Sequence, residues 1–413
     1  MLNQILSHLH EPVELEKRYR ANKAEFSKSF LSVYPQIKGE IAADFWFERL
    51  KEDSEPIRWG ARKELVWVVA GIFMAGVLAK IPEIFSIDEE FFYPRNFSFI
   101  IFPLITLYFV WKNKCSPKTN LVLFGLTGLS WVYINALPNT ESDTLILACI
   151  HVPLVLWGIL GAAYSGQNPE NWKNRLNYLR FNGEAAVMAV LLGIAGGLLT
   201  GITIGLFNLI GVKIEEFYFS YVVAFGLPAI AILATYLTYS NPQLVNKVSP
   251  VIAKIFSPIV LIMLIMYLGA ILITGQDPYN DREFLLIFNL LLVGVMGLIF
   301  FSVAEQSSKE DNSSGSWILF SLALVTILVN SIALTAIVFR ISEWGITPNR
   351  LAVLGSNLLM LIHLLKIAFS LYRNTIKGSD LPQVGKSIVN YLPVYFLWAF
   401  VVVFLFPILF EFS

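Results

Sequence analysis

The sequence predicts an all-α fold: a polytopic transmembrane helical bundle with a small helical segment ahead of it. Three observations carry this. The 413 residues are 56% hydrophobic and 15% charged, with a mean hydropathy of +0.64, whereas soluble domains run at about 45–50% apolar and about 25% charged. Eleven apolar runs approach the ~20 residues that a helix needs to cross ~30 Å of hydrocarbon. These runs also lack the ~10-residue alternation of an outer-membrane barrel, which leaves α-helices as the way to satisfy the backbone in lipid.

The same composition excludes other classes. Disorder requires low hydrophobicity. A nucleic-acid-binding chain should be basic, and here 30 Lys and Arg balance 30 Asp and Glu. Two Cys and four His rule out a disulfide scaffold and offer little for a metal centre. No cofactor, metal ligand or catalytic residue is assigned.

Residues 1–56 read as a cytoplasmic amphipathic helical segment. Pro12 sits at a helix start, where its missing N–H costs nothing. Leu15, Tyr19, Phe26, Phe30 and Val33 share a face, and Pro35 is expected to end that run. Ile37, Ile41, Phe45 and Trp46 form a second stripe reaching Leu50. Two such helices are too small for an independent core, so they should dock on the protein's own loops or on a cytoplasmic partner protein.

Residues 57–413 form the transmembrane domain. Its expected spans are 65–81, 97–111, 119–137, 144–164, 184–210, 217–238, 251–274, 284–304, 316–339, 351–371 and 388–410. Lys and Arg in the connecting segments orient them. With the N-terminus inside, 22 basic residues fall inside and five outside: Arg95, Lys213, Arg282, Arg340 and Arg350. The C-terminus is then outside, and the absence of a signal peptide ahead of the first span agrees. Short loops and aromatic-rich spans suit a bacterial inner membrane. Between the fourth and fifth spans, residues 168–183 read as a separate interfacial helix, capped by Asn168 with Pro169 at its first position.

Motifs of soluble catalysis fail. Gly385-Lys386-Ser387 lacks the first glycine of a phosphate loop, because position 380 is Asp380. No carboxylate is expected at depth, since Glu184 and Glu305 fall at the cytoplasmic edge of their spans. That counts against ion-coupled pumping.

Two features of the spans survive. Gly193, Gly197, Gly201 and Gly205 recur every fourth residue, a stripe suited to close helix packing within the chain. Asn135, His151, Asn208, Asn289, Asn330 and Asn357 fall in or near the outer half of their spans. A crevice open to the outside would gather them; the alternative is separate interhelical hydrogen bonds. His363 lies near the midplane, with Lys366 one turn on.

Residues 340–350 crowd Arg340, Glu343, Trp344, Gly345, Thr347 and Arg350 into one outer loop. Arginine forks can clamp an anionic head group or anchor helix ends. The string from Arg340 to Leu351 resembles a group of bacterial polytopic membrane proteins catalogued as domain of unknown function 4153. Leu15 to Arg20 and Trp46 to Leu50 are similar to its cytoplasmic starts. The resemblance implies location and architecture but no reaction. A weak internal echo, Ile214-Glu215-Glu216-Phe217 against Ile341-Ser342-Glu343-Trp344, suggests a parallel repeat.

The function expected from the sequence is permease-like, or the handling of a lipid or envelope precursor, through an outward-facing polar crevice lined by Arg340, Glu343, Arg350, Asn330, Asn357 and His151. The alternative is a sensor or scaffold acting through its N-terminal helices. The third reading is a membrane enzyme on a lipid-linked substrate. The partners are the bilayer and, by expectation, an anionic lipid or envelope precursor.

Overall fold

The protein, seen in a computed structural model, is described at residues 2–53, 62–139, 142–209, 212–244, 248–274, 282–306, 313–377 and 381–412. No strand occurs among the described residues. The chain divides into two compact units, Met1–Gly60 and Ala61–Ser413.

The first unit holds four helices: α1 (Leu2–Ser7), α2 (Pro12–Ala21), α3 (Lys23–Ile37) and α4 (Ile41–Asp53). Asn22 separates α2 from α3 by accepting a hydrogen bond from the Glu25 amide at 3.2 Å, as an N-cap does. Ile5, Leu9, Leu15, Tyr19, Phe26, Phe30, Ala43, Trp46 and Leu50 are buried together. This corrects two expectations. The segment encloses its own core, because α1 and α4 cover the faces of α2 and α3. Pro35 does not end α3; it sits in its last turn, two residues before the helix stops at Ile37. The second stripe is also rotated from its expected place. Trp46 and Leu50 point inward, while Ile41 is 91% and Phe45 63% exposed.

The second unit begins with α5 (Arg62–Ala79) and the short α6 (Ile81–Phe85). Then come α7 (Glu89–Lys112), α8 (Pro117–Ala136), α9 (Asp143–Ser165) and α10 (Trp172–Leu209). Helix α11 (Glu215–Phe217) runs through a π-helical turn at Tyr218–Val223 into α12 (Ala224–Ser240). The remaining long helices are α13 (Ser249–Thr274), α14 (Arg282–Gln306), α15 (Ser313–Trp344), α16 (Pro348–Lys377) and α17 (Leu381–Phe404), followed by α18 (Phe406–Leu409).

Among the described residues, nine helices are long and apolar enough to cross a membrane. Each of the eleven apolar runs of the sequence falls on a helix. Helix α5 carries Arg62, Lys63 and Glu64 in its first turn and, with the less apolar α8, stands outside the nine. The second run is the core of a 24-residue helix rather than a short span. Arg95 lies inside that helix, 2% exposed, and not in a loop. The interfacial helix expected at 168–183 is not separate: α10 starts at Trp172 and continues unbroken for 38 residues. Asn171, not Asn168, caps it, accepting from the Lys173 amide at 3.0 Å.

Two apolar cores fill this unit. One joins α5, α7, α8, α9 and α12 with parts of α10 and α17; the other joins α10 with α13 to α17. Outward positions remain apolar and exposed, which a membrane-embedded surface requires.

The glycine stripe does not do what the sequence suggests. A Cβ built at Gly193, Gly197, Gly201 or Gly205 meets nothing within 4 Å. Along the last five turns of α10, Leu198, Leu199, Ile202 and Leu206 are each about 60% exposed. Close approach is made elsewhere, at Gly76 on Phe225, Gly183 on Phe301 and Gly355 on Trp398.

Candidate functional site

Glu64 begins the site. It is the first carboxylate of α5 and only 4% exposed. A carboxylate so buried must be paired and hydrogen-bonded. Its Oε1 accepts from Tyr108 Oη at 2.7 Å and from Lys112 Nζ at 2.5 Å, both on α7. Ser240 Oγ at the end of α12 approaches at 3.4 Å. Three helix ends are thereby tied at one point. The ammonium of Lys112 also stands 5.7 Å from the Tyr239 ring centroid.

Beside this pair the ends of α7, α9 and α12 meet the start of α10 around a cavity of about 420 Å³. Its walls are Asn113, Tyr164, Ser165, Gly166, Gln167, Asn174, Asn177 and Tyr239. Asn113 is held rigid. Its Nδ2 donates to the Tyr164 carbonyl at 2.8 Å, and its Oδ1 accepts from Tyr239 Oη at 3.2 Å. Gly166 turns the chain with φ +63°, and a side chain there would crowd Asn113. Behind the opening, Phe109, Tyr164, Phe181 and Tyr239 meet edge to face or tilted. This is a box of aromatic rings at the end of an otherwise apolar bundle.

A second buried charge group lies between α10 and α14. Arg180 Nε donates to Glu184 Oε1 at 3.1 Å and is 3.9 Å from Glu305 Oε1. Both carboxylates are 4% exposed. The sequence places them at a membrane edge. Glu184 lies ~18 Å along α10 from Trp172 at 1.5 Å per residue, Glu305 lies one residue from the end of α14, and Phe301 of α14 packs against Gly183 beside Glu184.

The residues singled out from the sequence separate into three places. Asn330 and Asn357 meet: Asn330 Nδ2 donates to the Asn357 carbonyl at 3.1 Å, joining α15 to α16. Both are buried, and Asn330 Oδ1 and the whole Asn357 amide have no partner among the described residues. Arg340 and Arg350 flank the Trp344 ring at 5.3 and 5.7 Å. Arg350 Nη1 donates to the carbonyls of Trp344 and Gly345 at 2.8 and 2.7 Å, so it caps the C-terminal end of α15. Glu343 is exposed. His151 bonds the Leu147 carbonyl of its own helix at 2.8 Å. Of the outer set, Asn135 pairs with Asn96 at 2.8 Å, and Asn208 is exposed. His151, Asn330 and Asn357 do not line the amide-walled cavity. His363 is fully buried against Tyr391 and Tyr395, 3.1 Å from Tyr395 Oη.

The sequence does contain a signal for the cavity. Asn168, Asn171, Asn174 and Asn177 recur every third residue, and the last two, neighbours on one helix face, line the cavity. Read as a connector, that stretch hides its role.

These features define a class, the polytopic helical membrane proteins. Comparison with protein-family models, curated proteins and solved structures finds no match for the chain.

Proposed function

We propose that the chain is a permease-like membrane protein, or one that handles a lipid-linked precursor, with the amide-lined cavity as its site. One observation carries this reading. A bundle with an apolar exterior keeps about 420 Å³ of polar space at one end, next to a buried ion pair that links three of its helices. Ligand cavities span roughly 300–1,000 Å³ and rely on a few placed polar groups. The buried Glu184 and Glu305, beside a partly exposed Arg180, add support, because ionisable groups inside a membrane bundle mark pathways more often than structure.

This reading keeps the eleven spans with the N-terminus inside, in a bacterial cytoplasmic membrane, and the resemblance to the family of unknown function 4153 accords with that location. The basic count puts the cavity on the cytoplasmic side. The outward-facing crevice has less support, since His151 and Asn135 bond locally and Arg350 is engaged by carbonyls. An anionic lipid or envelope precursor at Arg340 and Arg350 is accordingly the weaker partner assignment.

Two measurements test the reading. A cysteine placed at Ser116 should react only from the cytoplasmic side, and one at Asn139 only from outside; the reverse pattern inverts the map. In proteoliposomes, uptake of small neutral solutes should exceed that of protein-free vesicles and fall when Asn177→Leu narrows the polar wall. Background uptake throughout would favour the sensor or scaffold reading. That second reading rests on Ile41 and Phe45, exposed beside a cavity of about 890 Å³ on the first unit.

A further inference from the structure

The amide cavity selects a chemistry. Three of its side chains, Tyr164, Ser165 and Asn177, have no hydrogen bond from their polar atoms to any described residue. Asn174 engages only its Nδ2, with the Ser165 and Asn168 carbonyls. The free groups are therefore two hydroxyls and one whole amide, together with the amide oxygens of Gln167 and Asn174, whose nitrogens alone are engaged. Hydroxyls and amides both donate and accept. No side chain lining the cavity carries a formal charge.

That combination disfavours ions. A phosphate or carboxylate is held by arginine forks or ammonium groups, and neither lines these walls. A bound cation would want carboxylate oxygens, which the walls lack. A purely apolar ligand would strand the free donors and acceptors without partners. A sugar ring answers the walls group by group. Each of its hydroxyls donates and accepts, and its C–H faces suit the tyrosine rings of Tyr164 and Tyr239.

Resting on the reading of this cavity as the functional site, we propose that it binds a neutral, hydroxyl-rich group: a saccharide ring, either as a free sugar or as the head group of a glycolipid. Asn113 is pre-positioned by Tyr239 and by the Tyr164 carbonyl, so the site loses little freedom when it fills.

The test uses the full-length protein in phosphatidylcholine nanodiscs. One arm titrates D-glucose and maltose and follows intrinsic fluorescence. The other includes glucosyl-diacylglycerol in the bilayer and measures co-purified glycolipid by mass spectrometry. Saturable binding in the first arm, or selective retention in the second, is expected, and the arm that responds identifies the source. Tyr164→Phe and Ser165→Ala each remove one hydroxyl. At unchanged melting temperature they should weaken binding about three- to ten-fold. Asn177→Leu should weaken it at least ten-fold. No binding in either arm by protein with a wild-type melting transition overturns the proposal. So does sugar binding that all three variants leave intact, or equal binding of inorganic phosphate. Sugar binding without solute uptake keeps this assignment and removes the permease reading. Uptake of a non-sugar solute, sensitive to Asn177→Leu and without sugar binding, does the opposite.

Discussion

Asn357 places a complete amide inside the contact between α15 and α16, 1% exposed, with neither terminal atom bonded among the described residues. An unmet buried donor or acceptor costs about 1–3 kcal/mol. Asn357→Leu fills nearly the same volume with apolar atoms. It should leave the detergent melting temperature unchanged or raise it, because the bond from Asn330 goes to the Asn357 backbone carbonyl and survives. A clear fall would mean that the amide holds a water or another polar group. Arg350→Ala should do the reverse and lower stability by about 0.5–1.5 kcal/mol per lost carbonyl bond, measured as the same melting shift. Residue by residue, the sequence revealed which groups were unusual but not their partners. The amides at 330 and 357 stood out as polar groups in apolar runs, and they do meet. Arg350 stood out as either a ligand-binding fork or a helix anchor, and its Nη1 donates back to the end of α15. Glu64 did not stand out, because it reads as the last charge before a span, and only the arrival of Tyr108 and Lys112 from another helix shows it to be enclosed.

At the scale of the element, helix existence was legible and helix contact was not. Apolar length marks a span whichever neighbour it meets, so every expected run lies on a helix. Boundaries moved where polar residues continued a helix, as in α10, whose first two turns carry Asn174 and Asn177 into the cavity wall. The glycines show the limit most plainly. A four-residue spacing proves that Gly193 to Gly205 share a face and says nothing about what stands opposite. The isolated Gly355 carries no such pattern, yet a Cβ there would fall within the Trp398 ring, which is fixed by its Nε1 bond to Ser356 Oγ at 3.1 Å. Gly355→Ala should therefore overpack α16 against α17 and destabilise by about 1–3 kcal/mol. Gly201→Leu, with nothing within 4 Å, should change stability by less than about 0.5 kcal/mol. Paired melting curves in one detergent check both, and equal losses would mean that α10 is covered after all.

For the whole molecule, the division at Gly60 carries a consequence that depends on pH. Residues 1–60 enclose nine buried apolar side chains of their own, including the Tyr19, Phe26 and Trp46 rings, whose centroids lie 5.2 to 5.7 Å apart. Such a unit should fold as a separate fragment, with cooperative melting of its helical circular dichroism. Across its surface Glu16 joins α2 to α4, its Oε1 2.7 Å from Arg20 Nε and its Oε2 2.9 Å from Arg49 Nη2. Chiefly the hydrogen bond from Arg20, with Arg49 beside it, holds the Glu16 carboxyl below its ordinary value of 4.5 against a partly opposing desolvation. A carboxyl depressed on folding binds its proton more readily in the unfolded chain. Its contribution to stability is then full above the unfolded value and is lost as the pH falls through the lower folded value. The melting temperature of the fragment should accordingly drop as the pH is taken below about 4.5. Glu16→Gln should melt lower than wild type at neutral pH and converge with it in acid, since the variant has no proton to gain there. The effect should be modest and weaken in salt, because the bridge is partly exposed and screened. Curves for the two proteins that stay parallel from neutral pH into acid would show that the Arg20 and Arg49 contacts contribute nothing to folding. A fragment without a cooperative transition would show that the nine-residue core depends on the rest of the chain.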